Sequence, residues 1–405
     1  MSKKIIVQKF GGTSVGSPEK IKAVANRTSK LLDDNKSIVI VVSAMGNTTN
    51  QLVKLAKEIT TEPNPREYDA LVSTGENVSA SLLAMSFQSL GINAISLTGA
   101  QAGILTQDLH AKAKILTIKT ERIQKELNNN KVVIITGFQG INPNSDITTI
   151  GRGGSDTSAV ALAAALECEE CEIYTDVDGV YTTDPRKIKD AQKLTEVSYE
   201  EMLEMASLGA KVLHPRAVEC AKENNIILHV RSSFELTEGT RVKEANKLEV
   251  NKPVTGVAVK ENEAIISMIG VPDTPGIAGE IFSELANNGI NVDMIIQNVL
   301  EKTDSNNISF SIAEDDLDQT KKITKSIANK LNCKLLTDTS IAKISCVGIG
   351  MISKPGTASK MFTALGQNNI NILRITTSEI KISCAINQED AQKALEILHN
   401  EFELT

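Results

Sequence analysis

The sequence predicts an α/β protein: a three-layer αβα sandwich with a mainly parallel sheet, followed by two smaller α+β modules. Three observations carry that expectation. Ahead of Thr237, short β-branched apolar runs alternate with helical stretches. Beyond Pro253, a block of strand, Pro-Gly turn and amphipathic helix occurs twice. A chain of 405 residues is also too long for one hydrophobic core, so two or three domains are expected.

Residues 5–7, 38–42, 92–97, 132–136 and 172–175 read as buried strands. They are short, β-branched and bounded by Gly, Asn or Ser, as in a parallel sheet covered on both faces. Helical patterns separate them, including 18–33 and the Ala- and Leu-rich 157–167, whose start Ser155 or Asp156 can cap. A βαβα series of this kind argues for an α/β sandwich. The polar stretch 237–253 reads as a linker. Past it, Pro275 and Pro355, Gly276 and Gly356, Phe282 and Phe362, Leu285 and Leu365, and Asn291 and Asn371 recur at a constant offset of about 80 residues, the mark of a duplicated module.

Composition narrows the function. Hydrophobic residues make up 41% and charged residues 23%, ordinary for a soluble globular protein. Trp is absent and aromatics are 3%, so the cores must be aliphatic. The net charge of −7 argues against nucleic acid as a general partner. An anionic chain that binds an anion must gather its positive charge locally. The apolar run at 5–7 is too short for a signal-peptide core and no stretch reaches membrane-spanning length, so a cytoplasmic location is expected, with no membrane partner. Cys168 and Cys171 form a lone CxxC without a second pair or nearby histidines; reduced, packed cysteines are expected, and neither Cys nor His builds a metal site.

Three clusters can carry chemistry. Lys9-Phe10-Gly11-Gly12-Thr13-Ser14-Val15 follows the first strand. Adjacent glycines let backbone amides approach phosphate, and Lys9 adds a point charge. It is not a Walker A loop, and alone it reads equally as a nucleotide loop or a strand-to-helix turn. Gly151-Arg152-Gly153-Gly154-Ser155-Asp156 opens the Ala-rich helix; it reads as an anion site, with Arg152 suited to a carboxylate, or as a loop with a capping Asp. The stretch from Tyr174 through Asp176, Asp178 and Tyr181 to Pro185 ends a late strand, where ligands of open α/β sheets sit; its glycine comes too early for an EF-hand loop.

Together with Ser43-Ala44, Thr48-Thr49-Asn50, Gly75-Glu76, Gly137-Phe138-Gln139-Gly140 and the run from Lys211 through His214 to Arg216, these motifs in this order resemble the aspartate kinases, of the amino-acid kinase fold with tandem C-terminal ACT domains. The resemblance runs nearly end to end. It implies a kinase domain over 1–245 and two ferredoxin-like ACT modules, 262–338 and 250–261 plus 339–405, the first inserted into the second. It implies that Lys9, Gly11 and Gly12 contact the transferred phosphate and that Asp156 organises the catalytic lysine. Lys9, Asp156 and Lys211 are then the catalytic set. Thr49, Glu76, Arg152, Gly153 and Ser155 hold aspartate, Glu76 at its ammonium and Arg152 at its α-carboxylate. Ser43, Tyr174, Thr175, Tyr181, Asp184 and Lys211 surround the nucleotide. The expected cofactor is Mg²⁺ with ATP, with no metal site built by the protein.

The expected chemistry needs no general base, because a carboxylate of pKa about 3.9 is already ionised at neutral pH. The obstacle is bringing an anion against a polyanion, which lysines, glycine amides and Mg²⁺ overcome. Another amino-acid kinase, acting on glutamate or a nucleoside monophosphate, is disfavoured by Glu76, Arg152 and the repeated tail. A catalytically inert sensor is disfavoured by the presence of Lys9, Asp156 and Lys211. In the tail, the resemblance implies a lysine or threonine effector between modules of paired subunits, and hence a homo-oligomer, at least a dimer. The Pro-Gly turns suit an amino acid's carboxylate and Asp273 and Asp293 its ammonium; Gly276, Ala278, Gln297, Gly356, Thr357 and Thr376 complete the expected effector set. Lys354, Leu373 and Arg374 depart from the family pattern and put effector identity in question. No Met lies between Met205 and Met268, so a single product is expected.

Overall fold

Strands that are apolar on both faces set the architecture of the N-terminal part. The computed structural model describes residues 3–32, 35–208, 212–245, 252–299 and 305–405. The chain divides into two units, Met1–Tyr181 with Lys193–Leu248, and Thr182–Gln192 with Glu249–Thr405. The first unit runs β1 (Lys4–Phe10), α1 (Pro18–Ser29), β2 (Lys36–Val42), α2 (Thr48–Ile59), α3 (Pro65–Val72), α4 (Thr74–Ser89), β3 (Ala94–Leu97), β4 (Ile104–Thr106), β5 (Ile115–Ile118), α5 (Glu121–Asn128), β6 (Val132–Thr136), β7 (Gln139–Ile141), β8 (Ile147–Thr149), α6 (Gly154–Ala165), β9 (Glu170–Thr175), β10 (Glu196–Ser198), α7 (Tyr199–Ser207), α8 (Pro215–Asn224), β11 (Ile227–Ser232) and β12 (Thr240–Lys243).

Among the described residues the main sheet has the order β10-β12-β11-β9-β1-β2-β6-β3. All its pairings are parallel except β11 with β12. Ile38, Ile40 and Val42 of β2 pack with Ile21 and Val24 of α1 and with Leu83 and Phe87 of α4. By the two-residue period, Val39 and Val41 point to the opposite face. There α6 packs on β1, β2 and β9. The sheet is thus the middle of three layers. A smaller sheet, β5-β4-β7-β8, stands beside it. Because Phe10 is in register with both Val42 and Tyr174, the loops after β1, β2 and β9 leave from one edge.

Two sequence expectations need correction. The stretch 237–253 is not wholly a linker: Thr240–Lys243 is a strand whose Thr240 and Val242 are buried while Arg241 and Lys243 reach outward. Residues 246–251 lie outside the described residues. Neither Ser155 nor Asp156 caps α6. The helix begins at Gly154, its cap is Gly153 at φ 70°, and Ser155 and Asp156 fall in the first turn. Glycine adopts that left-handed geometry without the steric cost other residues meet.

The second unit runs β13 (Gly256–Pro272), α9 (Ile277–Asn287), β14 (Asp293–Val299), β15 (Ser305–Ala313), α10 (Leu317–Leu331), β16 (Lys334–Val347), α11 (Thr357–Gln367), β17 (Arg374–Thr377), β18 (Lys381–Asn387) and α12 (Ala391–Glu401). Its sheet order among the described residues is β14-β15-β13-β16-β18-β17. The long strands β13 and β16 pair over both modules, with register shifts near Lys260 and Glu263 where one module passes into the next. Two hydrophobic cores result, mainly aliphatic with a few phenylalanines. One gathers Ile266, Met268, Leu285 and Phe310; the other gathers Ile344, Cys346, Leu365 and Leu398. The segment Thr182–Gln192 joins the second core through Ile188. The repeated helices α9 and α11 start alike, from Gly276 at φ 97° and Gly356 at φ 94°.

Candidate active site

Lys9 lies one residue before the end of β1, and its ammonium is 2.6 Å from the Asp156 carboxylate in the first turn of α6. Both side chains are largely buried. The glycines after Lys9 serve close approach. A Cβ on Gly11 would stand 3.4 Å from Lys9 Nζ, and one on Gly12 would stand 2.9 Å from the Ala44 carbonyl oxygen. The loops after β1 and β2 are zipped together, with Gly46 donating its N–H to the Gly12 carbonyl at 2.9 Å and Ser43 donating to Phe10 at 3.1 Å. The result is a glycine-rich cradle, with the Lys9–Asp156 ion pair in it, at the carboxyl edge of the sheet.

The next residue of that wall, Ala44, donates its N–H to Glu76 Oε1 at 3.1 Å. Glu76 sits in the first turn of α4 at 3% exposure, and its second oxygen is buried without a partner. Burial pushes its carboxyl up to about 7, against the opposing pull of the Ala44 N–H. Gly75 allows the approach, since a Cβ there would meet Ala44 Cβ at 2.8 Å. Thr49 is half-buried in the first turn of α2.

Across the site, Gly137 at the end of β6 backs directly onto Ser155, whose Cβ would lie 2.7 Å from an added Cβ. Arg152 is exposed and Gly153 half-buried; the His214 ring fills the space where a Gly153 Cβ would stand. The sequence motif includes His214 but assigns it no role against Gly153. Lys211 lies outside the described residues. Of its motif, His214 accepts from the Arg216 N–H at 3.4 Å, and the Arg216 guanidinium donates to the Ile150 carbonyl at the base of the glycine loop.

The third cluster divides. Tyr174 lends its carbonyl to the Gly11 N–H at 3.2 Å, while its ring is buried and stacked on Phe10 at 4.7 Å; its side chain offers no surface to a ligand. Thr175 is half-buried and donates to Asp176 at 3.0 Å. The Tyr181 hydroxyl donates to Asp178 at 2.8 Å, and Lys193 holds the other Asp178 oxygen at 3.0 Å, an anchor sequence reading missed because it lies 15 residues on. Asp184 belongs to the second unit, where Arg186 grips it through three N–H groups.

Among the described residues, the one converging group of three potential metal ligands is Glu170, Glu172 and His229. It stands on β9 and β11, and Arg231 at 3.0 Å from Glu172 and Arg241 at 3.4 Å from Glu170 already balance its charge. The cradle's carboxylate, Asp156, is paired with Lys9.

Residues 4–232 match the amino acid kinase family, and residues 264–331 and 344–402 each match an ACT domain. An aspartokinase of Bacillus sp. (strain MGA3) is 52% identical over 402 residues, spanning 99% of this chain and 98% of that protein. The chain belongs to the aspartokinase family. Aspartokinase 2 of Bacillus subtilis (strain 168) is 49% identical over 99% of this chain and 98% of its own length. Among solved structures, E. coli aspartokinase III in complex with aspartate and ADP, in its R-state, is similar at a TM-score of 0.80 and 26% identity, over 99% of this chain and 100% of that one. Aspartate kinase from Synechocystis is similar at 0.55 and 46%, over 99% and 70%. This aspartokinase is an ATP-dependent kinase, and no helix among its described residues is long and apolar enough to cross a membrane.

In the aspartokinase tail, Asp273 is exposed and accepts from Asn306 at 2.7 Å, while Gly276 and Gly356 face open space. Asp293, at the start of β14, pairs with the buried Lys343 of β16, which holds its carboxyl below the usual range against the cost of burial. Ala278 and Thr376 are half-buried, Gln297 is exposed, and Thr357 is buried with its hydroxyl on the Lys354 carbonyl at 3.1 Å. All six cysteines are free thiols; burial raises the thiols of Cys346 and Cys384, the first beyond the titrating range and the second to about 12.

Proposed function

We propose that this chain transfers the γ-phosphoryl group of MgATP to the β-carboxylate of L-aspartate, giving 4-phospho-L-aspartate and ADP, and that lysine and/or threonine bound at the tail feeds back on this step. The observation that carries the reading is the partnerless buried oxygen of Glu76. A buried carboxylate without a partner is costly, and an ammonium group satisfies it. The same wall continues through Ala44 to Gly12, so an acceptor held by its ammonium at Glu76 faces the phosphate cradle.

In the reaction, an aspartate carboxylate oxygen bonds to the γ-phosphorus while the bond to the β,γ-bridging oxygen breaks and its electron pair leaves on ADP. No proton has to move. Lys9 and the amides of Gly11 and Gly12 stabilise the charge of the transferring group, and Asp156 fixes the direction of the Lys9 ammonium. Arg152 takes the α-carboxylate, with Thr49, Gly153 and Ser155 around it. Ser43, Thr175 and Tyr181 line the nucleotide, with Tyr174 acting through its carbonyl; for Lys211 and Asp184 a nucleotide role rests on the family resemblance alone. Mg²⁺ held by the phosphates would lower their charge.

The enzyme works in the cytoplasm as a homo-oligomer, at least a dimer through the ACT modules. A coupled ADP-release assay with aspartate, glutamate and UMP, each repeated with lysine and threonine, tests the reading. Turnover specific to aspartate and lowered by one or both amino acids is expected; turnover on glutamate or UMP in its place sinks it.

A further inference from the structure

We propose that Asp69, on α3, is a positioning residue for the acceptor side of the reaction: it presets the segment that delivers Arg152. The proposal rests on reading Arg152 as the group that takes the acceptor's α-carboxylate.

Asp69 is fully buried, and among the described residues the hydrogen bonds to its carboxylate come from two segments beside the glycine loop. One is the turn at His110 and Ala111: His110 Nδ1 lies 3.0 Å from Oδ2, and the Ala111 N–H reaches both oxygens at 3.1 and 2.9 Å. The other is the end of β8, where Thr149 donates its N–H at 3.0 Å and its hydroxyl at 2.6 Å. Such a carboxylate, saturated with donors in a buried place, fixes what it touches.

What it fixes bears on Arg152. Ala111 sits at φ 65°, a conformation an alanine keeps only where its surroundings over-determine it. Its carbonyl oxygen lies 3.1 Å from the position of a Cβ on Gly151, itself at φ 84°. Ala113 donates to the Thr149 carbonyl at 3.0 Å, and Arg216 clasps the carbonyls of Ile150 and Ala113. Residues 149–151 are therefore held on both sides, and Arg152 is the next residue, exposed. None of these contacts involves Lys9, Gly11 or Gly12. Asp156 lies beyond Arg152, within α6 that packs on β1, so loosening Asp69 acts first on the acceptor's anchor and less on the Lys9 pair.

The test is a steady-state comparison of Asp69→Asn, Thr149→Val and Arg152→Ala with the unaltered enzyme, all checked by circular dichroism. Asparagine keeps the size but has one acceptor oxygen for donors that now use two. Asp69→Asn is expected to raise KM for aspartate about 10- to 100-fold while KM for ATP stays within about twofold. Thr149→Val, which removes a single hydroxyl contact, is expected to raise KM for aspartate about 3- to 10-fold. Added to Arg152→Ala, Asp69→Asn should contribute less than about twofold more, because the anchor it positions is gone. If Asp69→Asn does not fold, Thr149→Val decides. A purely structural Asp69 would shift both KM values alike or neither, and either result overturns the proposal. If Arg152→Ala weakens aspartate but Asp69→Asn and Thr149→Val do not, the positioning role alone falls. If Arg152→Ala leaves KM for aspartate unchanged, the reading of Arg152 falls first and takes the proposal with it.

Discussion

The Lys9 ammonium and the Asp156 carboxylate lie 2.6 Å apart, joining the end of the central strand β1 to the first turn of α6. In the proposed reaction the pair holds a cation in place for the incoming phosphate. Preorganisation of this kind is worth most when the cation need not reorient during transfer.

Asp156→Asn keeps the shape and removes the charge that directs Lys9. Turnover should fall roughly 10²-fold, and stability by about 1–3 kcal/mol from the weakened buried pair. Coupled ADP release and urea unfolding measure the two effects.

With the acceptor's ammonium at Glu76, as proposed, aspartate binding should depend on pH. The Glu76 carboxyl titrates near 7 when no ammonium is present, so protons compete with the acceptor below that value. The apparent affinity for aspartate should weaken about tenfold per pH unit below about 7. Glu76→Gln should bind aspartate poorly and without that slope. Stability runs the other way. The folded pKa lies above the ordinary 4.5, so the penalty is absent below pH 4.5 and complete above about 7. Aspartate should therefore raise Tm more at pH 8 than at pH 5, as thermal scans with and without it will show.

Gly153→Ala meets two obstacles, a left-handed φ of 70° and the His214 ring in the space a Cβ needs. The variant should lose about 1–3 kcal/mol in stability and show a raised KM for aspartate. Because the His214 Cβ alone lies 2.3 Å from that position, His214→Ala should recover little of the stability, whereas His214→Gly should recover more, measured by chemical denaturation.

In the tail, Asp293 lies on β14 with the buried Lys343 as its partner. Asp293→Ala should raise the lysine or threonine concentration needed for half inhibition at least about tenfold. An unchanged inhibition curve removes Asp293 from the effector site.

The cradle was legible in the sequence because its parts are contiguous: Lys9 precedes Gly11 and Gly12, and the glycines at 151, 153 and 154 precede a helix. The parallel sheet was legible from β-branched runs buried on both faces. Asp69 was not, since its partners lie 41 to 80 residues away and no local pattern links them. Lys343, 50 residues from Asp293, was missed for the same reason. Thr240–Lys243 escaped because its outward Arg241 and Lys243 make a strand read as polar linker. The cap of α6 was misplaced because Ser155 and Asp156 are common capping residues, whereas the turn is made by Gly153.

The central claim is that Lys9 supplies the charge that lets an acid accept phosphate from ATP. Turnover of Lys9→Ala with saturating aspartate and MgATP, in protein shown by circular dichroism to be folded, tests it most directly. Loss of ADP release to the background rate is the expected result, and a near-normal rate would contradict it.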